Sequence, residues 1–123
     1  MNIVLWILQV VLALLFGLAG GAKLTQPKAK LAAQMGWVED FSQGTVRVIG
    51  GVELLAAIGL ILPAITGILP ILTPLAALGL VLTMLGAMLT HLRRKEQPMI
   101  GMNFVLVLLA VAVVYGRFVA VPL

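Results

Sequence analysis

The sequence predicts an all-α, polytopic membrane protein built as a four-transmembrane-helix bundle, and three observations carry that prediction. The 123 residues are 63% hydrophobic and only 10% charged, where a soluble domain carries about 25% charged residues. The mean hydropathy is +1.22, and uncharged runs reach bilayer-spanning length. Those runs are continuously apolar rather than alternating, which favours helices over a β-barrel. The absence of cysteine excludes a disulfide-stapled secreted domain.

The expected spans are about 3–24, 45–62, 74–92 and 99–118, each able to cross a hydrocarbon core of about 30 Å at 1.5 Å per residue. Lys23 closes the first span. A cleavable signal peptide is its competitor, but the segment lacks a basic start and its apolar stretch exceeds the usual 7–15 residues. Pro63 is expected to end the second span, and Thr73 to cap the third with Pro74 in its first position. Pro98 stands just before the fourth. Between the first two spans, residues 25–44 read as a polar loop with a short interfacial helix, capped by Thr25, opened by Pro27 and facing inward through Leu31 and Met35. Trp37 follows as an interfacial anchor. The loop 63–73 carries no charge, and 93–98 is a short basic turn. No internal repeat is evident, so the whole of 1–123 is read as one transmembrane domain.

Charge placement gives an orientation. Lys23, Lys28, Lys30, Arg47, Arg93, Arg94 and Lys95 flank the first and third loops, and only Arg117 lies on the other side. The positive-inside rule therefore puts loops 25–44 and 93–98 in the cytoplasm and both termini outside. Trp6, Tyr115 and Phe118 then form an outer aromatic belt, with Trp37 and Phe41 at the inner one. The net charge of +4 is scattered along span edges, which fits lipid headgroups and argues against a nucleic-acid surface.

Glu53 is the most informative residue. It lies roughly nine residues, about 12–13 Å, into the second span, where an ionised carboxylate is costly and belongs in the bundle interior. Val46, Gly50, Glu53 and Ala57 share its helix face. The candidate partners in a polar pocket are Arg47, Lys23, His91, Thr90 and Asn103. Arg47 sits about 120° around the helix from Glu53 and about 9 Å shallower. Lys23 and His91 lie near helix ends and reach Glu53 only through a wet pocket or a shifted span. Asn103, one turn into the fourth span, is better placed in depth. The pocket reading competes with a purely structural polar network, since basic residues near span ends usually snorkel.

His91 shares a face with Met84 and Met88. A single histidine cannot supply bis-His haem ligation, so neither haem nor another metal site is expected. The chain also lacks a thiol, a hydrolase triad and a phosphate-binding glycine loop, so no catalytic residues are assigned. Small residues read as helix-packing positions. Gly17 and Gly21 continue from Ala13 in the first span, Gly50 and Ala57 flank Glu53, and Gly79 and Gly86 alternate with Thr83 and Thr90 in the third. Such seams suit contacts within one bundle or between protomers of a homo-oligomer.

Three segments together resemble the DoxX-like family. They are Gly17-Leu18-Ala19-Gly20-Gly21-Ala22-Lys23-Leu24; the stretch from Met35-Gly36-Trp37 through Arg47 and Ile49-Gly50-Gly51-Val52-Glu53-Leu54-Leu55 to Leu60-Ile61-Leu62-Pro63; and Met84-Leu85-Gly86-Ala87 with Thr90-His91-Leu92. The resemblance covers about residues 10–95. It implies a small four-helix protein of a bacterial inner membrane, with Lys23, Arg47, Glu53 and His91 on recurrent positions and no catalytic residues to transfer. The family name comes from subunits associated with quinone-linked oxidation of sulfur compounds, and distant relatives resemble membrane chaperones. Related bundles perform thiol–disulfide chemistry, which a chain without cysteine cannot do. Three functions therefore stand open: an accessory or assembly protein binding a partner membrane protein or lipophilic ligand; a quinone-interacting redox accessory subunit, with quinone as cofactor by analogy alone; and a small proton-coupled transporter using Glu53.

Overall fold

Four long helices follow one another along the chain. A computed structural model describes residues 2–27, 29–30, 41–95 and 97–122 of the chain. The helices are α1 (Asn2–Thr25), α2 (Gln43–Thr66), α3 (Leu72–Arg93) and α4 (Gln97–Tyr115), and a π-helical turn, Gly116–Ala120, extends α4. Each is long and apolar enough to cross a membrane, and the chain is a multi-pass membrane protein. Sequential neighbours pack on one another and α4 closes the ring against α1. The first and third connections thus share one end of the bundle, called here the basic end, and the two termini share the other.

The solvent logic of a soluble protein is inverted. Large apolar side chains such as Ile3, Leu18, Leu55 and Leu82 point outward, while Gln9, Lys23, Glu53, Thr73, His91, Asn103 and Arg117 are buried. In hydrocarbon the exterior needs no polar cover, and each polar group has to find a partner within the bundle. Between the two polar ends lies an apolar core that includes Leu12, Phe16, Leu60, Ala77, Leu80 and Ala110.

Helix boundaries follow local chemistry. The Ser42 hydroxyl caps α2 by accepting from the Thr45 N–H at 3.1 Å. The helix ends at Gly67, whose φ of 71° is the left-handed conformation a C-terminal cap requires. Pro98 falls in the first turn of α4, where its missing N–H leaves no bond unmade. Thr25 does not cap a second helix as expected. It belongs to the last turn of α1, and its hydroxyl donates back to the Gly21 carbonyl at 2.8 Å. Of the rest of the expected interfacial helix, the Lys30 N–H donates to the Pro27 carbonyl at 3.1 Å, while Leu31, Met35 and Trp37 lie outside the described residues.

Pro63 was expected to end the second helix, but it sits inside α2, which runs on for another three residues. A proline withdraws the N–H that the carbonyl four residues earlier needs, here that of Gly59. The Thr73 hydroxyl of α3 replaces it, donating to the Gly59 carbonyl at 2.9 Å. The Gln9 side-chain amide of α1 donates to the next carbonyl, Leu60, at 2.6 Å. Thr73 is therefore not the N-cap of α3, a position that Ile71 occupies. It is fully buried and repairs the proline break. Gly59 allows the approach, since a Cβ there would stand 2.9 Å from that of Ala76.

The glycine expectations are met unevenly. Gly50 is a true contact point: a Cβ on it would lie 2.6 Å from Lys23 Cβ and 2.8 Å from the Gly20 carbonyl. Its partner on α1 is Gly20, one residue away from the predicted Gly21, which meets nothing within 4 Å. Gly17 and Ala57 are in ordinary contact, at 3.7 Å from a Cβ built on Gly17. Gly79 and Gly86 face open space, with nothing in this chain within 4 Å of a Cβ built on either.

Replacing Thr73 by valine keeps the shape and removes the donor, so Thr73→Val is expected to lower unfolding stability in detergent by about 1 kcal/mol. In a Pro63→Ala background the helix supplies its own N–H to Gly59, and the same substitution is expected to cost close to nothing. Equal costs in both backgrounds would show that the hydroxyl does not serve the proline break.

Candidate functional site

At the basic end, the backbone contact of Gly20 with Gly50 brings α1 and α2 together just where Lys23 and Glu53 project. Helical side chains lean toward the N-terminus of their own helix. In an antiparallel pair, Lys23 near the end of α1 therefore leans into the bundle, and Glu53 leans back toward the basic end. They meet as a direct ion pair, with Lys23 at 7% and Glu53 at 2% exposure. No intervening water or shifted span is needed, because the glycines remove the bulk between the two Cβ atoms.

Arg47 does not join this pair. Its guanidinium donates to the Leu24 carbonyl, one of the carbonyls that the end of α1 leaves without a helical partner. Its shallower position and different helix face direct it there. Arg47 thus ties the start of α2 to the end of α1.

Next to the ion pair is a cavity of about 610 Å³. Its polar lining is Lys23, Glu53, Thr83, Thr90, His91 and Asn103, contributed by all four helices. Leu15, Phe16, Val52, Met84, Met102 and Leu106 are among its apolar walls. The cavity is open rather than sealed, since Leu82 and Met102, which line it, are 64% and 52% exposed. Its volume comes from the small residues of α3: Gly86 and Ala87 line it, where larger side chains would fill it.

Five of the six residues singled out from the sequence, Lys23, Glu53, Thr90, His91 and Asn103, line this one space; Arg47 does not. The Thr90 hydroxyl donates to its own helix, to the Gly86 carbonyl at 3.1 Å. His91 is 4% exposed. Asn103 is buried too, and its side-chain amide nitrogen has no hydrogen-bond partner among the described residues. A buried donor left unmatched costs about 1–3 kcal/mol, so the cavity offers an unused donor to anything carrying an acceptor oxygen.

Sequence reasoning missed a second polar cluster at the end where the termini lie. Gln9 bridges the Leu60 carbonyl and the Arg117 guanidinium, which donates from Nε to Gln9 Oε1 at 2.6 Å. Gln9 stands alone among apolar neighbours in the first span. The rule that identified Glu53, that an isolated polar group in a span faces the interior, identifies it equally.

The sequence profile of the DoxX-like family matches residues 7–113. No curated protein and no solved structure gives a significant match.

A buried ion pair resists loss of one partner far more than loss of both. Lys23→Met and Glu53→Gln are each expected to destabilise the bundle by about 3 kcal/mol. The double variant is expected to cost less than the sum by about 1 kcal/mol or more. Thermal or denaturant unfolding in one detergent measures all four proteins, and simple additivity would contradict the pairing.

Proposed function

The chain belongs to the DoxX-like family, and from that premise we propose that it is a non-enzymatic accessory protein whose bundle binds a lipophilic molecule with a neutral, hydrogen-bond-accepting head. The supporting observation is the cavity of about 610 Å³, inside the range of about 300–1,000 Å³ usual for small-molecule sites. Apolar walls suit a hydrocarbon body, and Asn103 holds out an unmatched donor for the head. Lys23 and Glu53 neutralise one another, which favours an uncharged head over a carboxylate or an ammonium group. In this reading the basic end faces the cytoplasm of an inner membrane, both termini lie outside, and the loaded bundle serves a partner membrane protein.

A quinone is one molecule of this class, with two carbonyl acceptors on a flat head and an apolar tail. Asn103, Thr90 and His91 around one cavity support that redox-accessory reading as the second choice. The proton-carrier reading has less support, because the Glu53 carboxylate is already engaged by Lys23.

Purification in mild detergent followed by solvent extraction and mass spectrometry tests the proposal. Wild type is expected to carry a near-stoichiometric lipophilic molecule. Asn103→Leu is expected to weaken its retention about tenfold, the equivalent of one buried hydrogen bond. Gly86→Leu fills the cavity and is expected to exclude the molecule while leaving thermal stability equal or higher. Stabilisation of the wild type by a short-chain quinone, lost in both variants, would select the quinone. Equal retention by all three proteins would remove the binding proposal.

A further inference from the structure

Arg117 is a buried cation with no ion-pair partner among the described residues. It lies in the π-helical turn, closed by the Val121 N–H donating to the Gly116 carbonyl at 2.7 Å. Gly116 sits against the Leu5 side chain with no room for a Cβ, so the turn presses onto α1 and carries Arg117 inward to 3% exposure. π-Helical turns of this kind often mark functional sites. Besides Gln9, the guanidinium donates from Nη1 to Asn2 Oδ1 at 2.7 Å and to the Val121 carbonyl at 3.1 Å. It also stands 5.7 Å from the centre of the Trp6 ring. Every one of these partners is neutral, and Nη2 has no hydrogen-bond partner among the described residues.

The chain has four acidic side chains, and the one among the described residues does not reach Arg117. Glu53 is paired with Lys23. Glu39, Asp40 and Glu96 lie outside the described residues. A buried charge without a counter-ion is strongly unfavourable, and Arg117 lies three residues from the end of the last candidate span, where a span meets the headgroup region. Arg117 also lines a cavity of about 210 Å³, with Pro70, Ile71, Pro74, Phe118 and Pro122 as its other walls. Proline offers no N–H, so these walls give a free hydrated ion little beyond the guanidinium. They suit an anion that carries an apolar body with it.

We propose that this cavity is a phospholipid headgroup site, in which a phosphate oxygen accepts from Arg117 Nη2 and the glycerol backbone lies against Phe118 and the prolines. Gln9, Asn2 and the Val121 carbonyl hold the guanidinium so that its remaining edge faces the ligand. The same phosphate chemistry belongs to the free ion, and the experiment separates the two.

The test titrates the purified chain, in a neutral detergent, with short-chain phosphatidylglycerol, with inorganic phosphate, and with a dialkylglycerol lacking phosphate. Native mass spectrometry and thermal shift provide the readouts. Phosphatidylglycerol is expected to bind one to one, and Arg117→Gln to weaken it about tenfold or more, with Arg117→Lys recovering part of the loss. Phe118→Glu places a carboxylate beside the guanidinium and is expected to abolish lipid binding in a folded protein. It decides the matter if Arg117→Gln fails to fold. Stabilisation by inorganic phosphate equal to that by the lipid, or by the phosphate-free dialkylglycerol, would overturn the proposal. So would phosphatidylglycerol binding that Phe118→Glu leaves intact.

Discussion

The backbone contact between Gly20 of α1 and Gly50 of α2 is the constraint on which the rest of this bundle depends. It is close enough that a single methyl group on either side would collide with the opposing backbone. Because the two helices touch there, Lys23 and Glu53 reach one another directly and a charge deep in a span is neutralised inside the bundle. With that pair made, Arg47 is left to secure the exposed carbonyl of Leu24. Gly86 and Ala87 of α3 line the adjoining cavity, where larger side chains would take up its space.

Polar groups elsewhere obey one accounting. Hydrocarbon supplies no hydrogen bonds, so each buried donor or acceptor is matched from within the bundle or waits for a ligand. Pro63 opens a gap that Thr73 fills from α3, and Gln9 from α1 serves the adjacent carbonyl. Gln9 in turn holds Arg117. Four buried side-chain atoms have no hydrogen-bond partner among the described residues, and two of these lie within spans: Asn103 Nδ2 and Arg117 Nη2. Both residues line cavities. One donor is neutral and faces mainly apolar walls beside a balanced ion pair. The other is cationic and has no anionic partner among the described residues. The two cavities therefore select different chemistries.

Much of this was legible in the sequence, for physical reasons that also mark where legibility stopped. Four predominantly apolar runs of bilayer length define the helices because the membrane forces every backbone group into an internal bond. Glu53 announced its burial because a carboxylate cannot face lipid. Its partner was harder to read: the pairing with Lys23 depends on the opposite lean of side chains on antiparallel helices and on a glycine contact. Gly20 and Gly21 are adjacent in sequence, and only the rotation of α1 against α2 tells them apart. Pro63 read as a helix end because its rescue by Thr73 comes from another helix. Arg117 counted as a boundary charge, and Gln9 was passed over although it obeys the same rule as Glu53. The small residues of α3 read as a seam for contacts within one bundle or between protomers, and within this chain Gly79 and Gly86 face open space, which helical spacing alone does not show.

An experimental structure of the chain, purified from its membrane in mild detergent, tests the binding account most directly. The account predicts an elongated density in the larger cavity, its head placing an acceptor about 3 Å from Asn103 Nδ2 and its tail running along Phe16 and Leu106. A cavity holding only water, or closed by inward movement of Met102 and Leu82 with the Asn103 amide bonded to a neighbouring side chain, would contradict it.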